Sequence, residues 1–382
     1  MMKQKLGFLV LGAAALACSG RYYEVGSMDG GNGVAGSSSA GGTAATGGAV
    51  AGSGSVSNPG VGASAGAMNA GPAMPADGLC VPAGAPPKLT GPFAEPMVVW
   101  RRIAMLTWGP EMPLVTKPPV SATTYAWAGQ QVAVELQATK DSSGTAPGVE
   151  LFLRQALGLD ADAPFEQHWG ALLSTRAAVL NALLRAPLGQ KGRVGIFTEP
   201  SWLALHTGIS ARGAAIEDVL FGMPVPPPPQ GLPMPEPNAG MTDRQSLEAS
   251  VTREPACSGC HARMDPSGFA LGHFAADGSY RELDHGLPID TTGSRQTAMF
   301  PDEPIQFDGI ADFGQKFEGN CEALQGIANS FLRAALVINE AERRDELYDE
   351  SVARVQRAFV NSDRTYEDLV RAYIQSPAGL MP

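Results

Sequence analysis

The sequence predicts a mainly α-helical protein, in which bundle-like helical domains follow a long disordered tether. Three observations favour this fold class. Residues 19–77 are almost entirely small or polar, and the segments after residue 93 repeat apolar residues at helical spacing. Strand patterns are short and confined to Tyr280–Glu282 and Pro288–Asp290. With 382 residues, 44% of them hydrophobic, the chain can bury a substantial core.

The charge balance of the chain is acidic. Asp and Glu outnumber Lys and Arg by 38 to 27, and the formal net charge is −11. Binding to nucleic acid needs a face of clustered basic side chains that displaces counterions from the phosphates. We therefore expect no nucleic-acid partner.

The first seventeen residues have the layout of an export signal. Lys3 and Lys5 precede an apolar run from Leu6 to Leu16, and small residues lead to Cys18. This run is shorter than the roughly 20 residues that span a bilayer. The position of Cys18 resembles the lipidated cysteine of bacterial lipoproteins, and an ordinary signal peptide cleaved nearby is the alternative. We expect a signal peptide over 1–17 and a lipid-anchored protein of the cell envelope, periplasmic or at the outer membrane or cell surface.

Residues 18–78 are predicted to form the lipidated cysteine and a flexible tether. Gly, Ala, Ser and Thr dominate this segment, and such a composition cannot bury enough apolar surface to offset the entropy of ordering. A chain of this length spans about 40 Å. The tether would therefore hold a globular body away from a membrane.

The globular body is predicted to start with a helical domain over residues 79–190. Apolar residues recur at helical spacing over Trp100–Trp108, Val149–Leu159 and Phe165–Leu184. Pro187 then stops the last of these helices.

The second predicted domain covers residues 191–300. Helices are expected over Ile209–Phe221 and over 243–264, and Asp265–Pro266 is expected to end the second of them. The Pro-rich stretch 224–237 between the helices is predicted to be an extended polyproline spacer.

The third predicted domain covers residues 301–382 and is helical. Its three helices are expected at 313–338, 341–360 and 365–376. Asn361 is expected to end the middle one.

The segment Cys257-Ser258-Gly259-Cys260-His261 has the pattern Cys-x-x-Cys-His, which is typical of c-type haem attachment. On one helical turn the two thiols share a face and can bond to the porphyrin vinyl groups, and His261 follows as proximal iron ligand. A zinc site is one alternative, although no second Cys or His pair lies at finger-like spacing. A redox-active or disulfide-bonded thiol pair is the other. The sequence predicts one haem c, bound through Cys257 and Cys260. We therefore interpret residues 191–300 as a cytochrome c-like haem domain, with the helical bundle-like domains around it.

Two cysteines remain once Cys18 is assigned to lipid and the motif cysteines to haem. These are Cys80 and Cys321. In an oxidising compartment two spare cysteines indicate a disulfide, which here would close the start of the globular body onto its C-terminal helices.

The run from Cys257 to Arg281 resembles a bacterial family of exported proteins of unknown function, which combine several domains around a c-type haem motif. The similarity covers roughly residues 93–377 and is strongest over 193–293. It extends to Gly195–Leu203, Arg212-Gly213, Pro224–Pro229, Met264-Asp265-Pro266 and Pro288–Gly293. The chain departs from the family pattern at Gly208–Ala211 and Gly272–Ala275. The resemblance implies a haem protein but no particular reaction.

The ligand on the second face of the iron decides what such a haem does, because an open position permits catalysis and a filled one favours electron transfer. Met264 is one turn from His261 on the same helix and cannot reach the opposite face. We predict His206, which precedes the family-like Arg-Gly pair, as the distal ligand, with Met299 as the alternative. The further candidates are His273 and His285, followed by His168.

These features support three functional hypotheses. The first is transfer of single electrons to or from a redox partner protein in the cell envelope, with no catalytic residue in the chain itself. The second is an enzyme module whose haem has an open distal site and activates a peroxide or small substrate. The third is a surface scaffold or binding lipoprotein in which the haem is structural.

Overall fold

Helices dominate the computed structural model, which describes residues 80, 84–117, 119–139, 147–159, 178–226, 240–253, 255–297, 302–338 and 347–382. Thirteen α-helices and two short hairpins lie in these ranges, so the predicted mainly α-helical class is confirmed. The predicted signal peptide, Cys18, the tether, most of the Pro-rich stretch 224–237, His168 and Met299 lie outside the described residues. Within those ranges, no helix has both the length and the apolar character needed to cross a membrane.

The N-terminal part of the body comprises α1 (Pro96–Thr107), a 3₁₀ turn (Gly109–Glu111), α2 (Tyr125–Thr139), α3 (Pro147–Ala156) and α4 (Val179–Leu184). The prediction of one helix from Phe165 to Leu184 is wrong near its end. Ala178 is extended, with φ −57° and ψ 135°, and α4 starts only at Val179. The Val179 N–H instead donates to the Arg364 carbonyl oxygen at 2.9 Å, a tertiary contact that apolar spacing does not reveal.

Four helices follow: α5 (Pro200–Leu205), α6 (Ile209–Phe221), α7 (Asp243–Arg253) and α8 (Pro255–Phe269). Helix α6 has the predicted bounds, and Gly222 ends it in the left-handed conformation that favours glycine. A capping box starts α7. Thr242 Oγ1 accepts from the Gln245 N–H at 3.1 Å, and Gln245 Oε1 accepts from the Thr242 N–H at 3.0 Å.

Helix α8 continues through Pro266 to Phe269, so the expectation that Asp265–Pro266 ends it is wrong. Proline lacks an N–H and deprives a helix of one hydrogen bond. Packing of the following residues compensates, because Phe269 is buried and Ser267 Oγ donates to Glu217 Oε1 of α6 at 3.0 Å. Tertiary contacts therefore override the local signal.

Two antiparallel hairpins follow α8: β1 (Leu283–Asp284) with β2 (Leu287–Pro288), and β3 (Thr292–Arg295) with β4 (Ile305–Asp308). The first hairpin is displaced from the strands predicted at 280–282 and 288–290. His285 and Gly286 form its two-residue turn, and both have positive φ, 49° and 82°. Such turns match the twist of the flanking strands, so this pair determines which residues face each other.

The C-terminal part comprises α9 (Gly309–Phe317), α10 (Cys321–Ile338), α11 (Tyr348–Val360), α12 (Tyr366–Ile374) and α13 (Pro377–Leu380). The single helix predicted over 313–338 is thus two helices. Asn320 accounts for the break, since its Oδ1 accepts from the N–H groups of Glu322 (2.9 Å) and Ala323 (3.2 Å). This is the N-cap of a new helix.

The hydrophobic core is continuous along the body. Phe331 of α10 packs against Phe152 of α3 and Tyr366 of α12, with ring centroids 5.0 and 5.9 Å apart. Tyr366 Oη also donates to the Leu106 carbonyl oxygen at 2.8 Å. All described residues belong to one compact unit, 71–382. Division of the body into domains at residues 190 and 300 stays a prediction.

Cys80 and Cys321 form the predicted disulfide, which joins positions 241 residues apart in the sequence. A Cys80→Ser/Cys321→Ser variant is expected to lose about 2–4 kcal/mol of unfolding free energy, because the crosslink restricts the unfolded chain. Guanidinium unfolding with and without reductant measures this loss. Reductant should lower the stability of the parent to that of the variant, and a parent that is insensitive to reductant would contradict the prediction.

Candidate functional site

Helix α8 presents Cys257, Cys260 and His261 in its first two turns. Both thiols are free; Cys257 is half-buried and Cys260 is exposed. Helical residues three and four apart are neighbours on one face, so Cys257 shares a face with both Cys260 and His261. Two thiols and one imidazole are therefore available to a single flat ligand.

The His261 imidazole is held by the carboxylate of Asp265, one turn further along α8. His261 Nδ1 lies 2.9 Å from Asp265 Oδ2, and Asp265 Oδ1 accepts a hydrogen bond from Ser210 Oγ at 2.8 Å. Ser210 Oγ is also 3.4 Å from His261 Nδ1. An Nδ1 that donates to a carboxylate leaves Nε2 with a lone pair for a further ligand.

Asp265 is a buried carboxylate. Its side chain is 7% exposed, against 21% for His261, which is its one ionic partner among the described residues. Burial raises the pKa of Asp265, and the hydrogen bonds with Ser210 and His261 counteract part of that rise. A buried carboxylate costs stability unless it is paired and hydrogen-bonded, and His261 and Ser210 supply the hydrogen bonds that Asp265 needs.

Close packing of α6 against α8 brings Ser210 to this pair. A Cβ on Gly213 of α6 would lie 2.0 Å from the Met264 carbonyl oxygen, and one on Gly268 of α8 would lie 2.1 Å from the Ile209 carbonyl oxygen. Main chains this close exclude any side chain at those two positions. The contact positions the start of α6 beside Asp265.

Arg212, next to Gly213, braces this helix pair. Its guanidinium is buried and donates to four main-chain carbonyl oxygens: His206 (3.0 Å), Leu271 (3.4 Å), Phe274 (2.6 Å) and Ala275 (2.6 Å). Desolvation is the main cause that lowers the pKa of Arg212, to about 10. The side chain thus links the residues before α6, at His206, to the residues after α8, at Phe274 and Ala275.

His206, the predicted distal ligand, is half-buried at the end of α5. Its Nε2 lies 3.3 Å from the Leu157 carbonyl oxygen, and its ring packs on Trp202 with centroids 4.6 Å apart. Burial lowers the pKa of His206, which favours the neutral imidazole. In this position Nε2 would have to leave the Leu157 carbonyl before it could bind a metal.

The other two described candidates also have protein partners. His273 Nδ1 lies 2.9 Å from the Arg281 carbonyl oxygen, and His285 Nε2 lies 3.1 Å from Asp243 Oδ1. His285 belongs to a group with Asp243 and Asp284 whose ligand atoms all lie within 4.8 Å of one another. The Arg281 guanidinium contacts both carboxylates of that group, at 2.6 and 3.1 Å, and so supplies the positive charge there.

Sequence reasoning missed two members of the His261 site. Asp265 was assigned to helix termination, although its i+4 spacing from His261 is that of helical neighbours and could have revealed the contact. Ser210 offered no such signal, because 51 residues separate it from His261.

The donor set of this site fits a covalent haem c. Cys257 and Cys260 supply two free thiols at the required spacing, and the Nδ1 contact of His261 leaves Nε2 available.

A search of curated proteins and a search of solved structures found no match. Over residues 193–284, the segment that holds α5 to α8, the chain matches the family model of PSCyt3, a protein of unknown function (DUF1588).

Proposed function

We propose that this chain is an exported, lipid-anchored protein that carries one haem c and passes single electrons to or from a redox partner in the cell envelope. The observation that carries the proposal is the arrangement on α8. Two free cysteines three residues apart precede a histidine whose Nδ1 is already engaged by Asp265. Zinc ligation by this group would need further Cys or His ligands.

Cys257 and Cys260 would hold the porphyrin through thioether bonds, and His261 Nε2 would bind the iron. A bound haem supplies an iron that alternates between ferrous and ferric states. The chain contributes attachment, orientation and burial. Cys260 is exposed, so this edge of the site lies at the surface, where a partner protein can approach it.

The N-terminal segment supports export and anchoring. Lys3 and Lys5, the apolar run from Leu6 and the cysteine at position 18 form a lipoprotein-like signal. Covalent haem attachment takes place after export in most bacteria, so the export signal and the Cys-x-x-Cys-His pattern support each other.

A haem enzyme with an open distal site is the second candidate. It is favoured by the contacts of the described histidines, because the Nε2 atoms of His206 and His285 both face protein oxygens. The visible spectrum distinguishes the two candidates. A low-spin spectrum indicates two axial ligands and supports electron transfer, and a high-spin spectrum supports the enzyme.

The test is a pyridine haemochrome assay on the full chain, expressed with a periplasmic c-type maturation system. We expect one covalent haem per chain, found in the membrane fraction, and complete loss of covalent haem in a Cys257→Ser/Cys260→Ser variant. The Cys80→Ser/Cys321→Ser variant is the matched control, which removes the same number of cysteines and should keep its haem. Absence of covalent haem from the parent chain would refute the proposal.

A further inference from the structure

The contact between His261 and Asp265 has a consequence for any metal bound at Nε2. We propose that Asp265, supported by Ser210, is a positioning residue that selects the Nδ1–H tautomer of His261 and lowers the reduction potential of the attached haem. The part that concerns the potential rests on the proposed function. The part that concerns the tautomer does not.

The geometry leaves the carboxylate little freedom. Asp265 Oδ2 takes the His261 contact at 2.9 Å and Oδ1 takes the Ser210 hydroxyl at 2.8 Å. Asp265 and His261 are one turn apart on α8, whereas Ser210 comes from α6. Two helices therefore determine the orientation of one carboxylate, and the carboxylate determines the orientation of the imidazole.

Burial makes this contact more than a surface ion pair. Asp265 is 5% exposed as a residue, so water does not compete for its oxygens. The contrast is Asp243, which is 48% exposed in its side chain and lies 3.1 Å from His285. Hydrogen bonds are stronger in a low-dielectric environment. The Asp carboxylate should therefore influence the tautomer of His261 strongly and that of His285 only weakly.

The chemical consequence follows from charge. A carboxylate accepts hydrogen bonds and cannot donate one, so it places the proton of a neutral His261 on Nδ1 and leaves the lone pair on Nε2. An anionic acceptor at Nδ1 also raises the basicity of the ring as a ligand. A more basic ligand stabilises the ferric state more than the ferrous state, which lowers the reduction potential.

The first experiment measures the midpoint potential of the haem-loaded full chain and of three variants. Asp265→Asn keeps the shape of the side chain but removes its charge, and we expect a positive shift. A tenfold change in the ferric–ferrous equilibrium corresponds to about 59 mV for one electron. Ser210→Ala should shift the potential in the same direction by less. Asp243→Asn is the matched control and should leave the potential unchanged.

A spectroscopic measurement separates a direct effect on the ligand from a general disturbance of the fold. In a six-coordinate haem, the low-spin EPR g values of the ferric protein should indicate a weaker axial ligand field in Asp265→Asn, because the Nε2 donor is weaker. In a five-coordinate haem, the iron–histidine stretch in the resonance Raman spectrum of the ferrous protein should fall in frequency for the same reason. Asp265→Glu retains the charge and should remain closer to the parent than Asp265→Asn does. An Asp265→Asn protein with an unchanged potential and an unchanged axial-ligand signal in these spectra would overturn the proposal.

The second experiment is independent of haem. In the Cys257→Ser/Cys260→Ser variant of the full chain, the ¹⁵N chemical shifts of His261 at neutral pH should report the Nδ1–H tautomer. A dominant Nε2–H tautomer would overturn the inference even if the haem assay succeeds. The Nδ1–H tautomer would uphold the role of Asp265 even if the parent chain carries no haem.

Discussion

A Gly213→Ala variant is expected to lose about 3 kcal/mol or more of unfolding free energy, and to separate Ser210 from Asp265. The added methyl group would lie 2.0 Å from the carbonyl oxygen and 2.7 Å from the carbonyl carbon of Met264. Overpacking against mobile side chains costs roughly 1–3 kcal/mol. Here the obstacle is the main chain of α8, which can move away only if the two helices part.

Guanidinium unfolding of the full chain measures this effect. Gly319→Ala is the matched control, because no atom lies within 4 Å of the position its Cβ would occupy, and it should be close to the parent in stability. Gly268→Ala tests the same helix contact from the other side and should be about as damaging as Gly213→Ala. A Gly213→Ala protein as stable as the parent would show that α6 and α8 are not packed this closely.

An Arg295→Met variant is expected to lose about 3–5 kcal/mol, because it leaves buried carboxylates without a counter-charge. Arg295 is 4% exposed, and its guanidinium contacts Glu217, which is fully buried, at 3.0 Å and Glu322 at 2.8 Å. Burial disfavours the charged guanidinium, yet the pKa of Arg295 is raised because the two carboxylates outweigh that effect. The guanidinium also lies 3.4 Å from the ring centroid of Phe221.

The matched control for this prediction removes a cation from an exposed ion pair. Lys191→Met breaks the contact with Glu282, in which both side chains are mostly exposed, and should leave the unfolding free energy unchanged within error. An Arg295→Met/Glu217→Gln double variant should recover part of the loss, since it removes one of the uncompensated charges. Equal stability of the Arg295→Met and Lys191→Met proteins would contradict the prediction.

Helix formation was predictable where a local apolar pattern and a local stop signal agree. Ile209–Phe221 is such a case, because the apolar pattern ends at Gly222. Prediction failed where a contact with a distant part of the chain determines where a helix begins or ends. Ala178 interrupts the periodic apolar run because the Val179 N–H donates to the Arg364 carbonyl oxygen. Pro266 does not end α8 because Ser267, the next residue, bonds to Glu217 of α6.

The candidate site divides in the same way. The spacing of Cys257, Cys260 and His261 belongs to one helical turn, so the sequence alone could indicate a haem-attachment pattern. The contact of Asp265 with His261 could also be inferred from the local sequence, because the two residues are four positions apart on one helix. Ser210 does not, because its position depends on two glycines in different helices that let main chains approach to contact.

The sequence alone predicted the mainly α-helical class, the place of the Cys-x-x-Cys-His pattern on a helix and, once Cys18 was assigned to lipid and Cys257 and Cys260 to haem, the pairing of Cys80 with Cys321. These depend on periodicity, spacing and the number of cysteines, which are local or compositional properties. The tertiary structure alone decided the contact of Ser210 with His261 and Asp265 and the ion pairs of Arg295. Glu217 and Arg295 are 78 residues apart, and such contacts arise from how helices and strands pack, which no local pattern encodes.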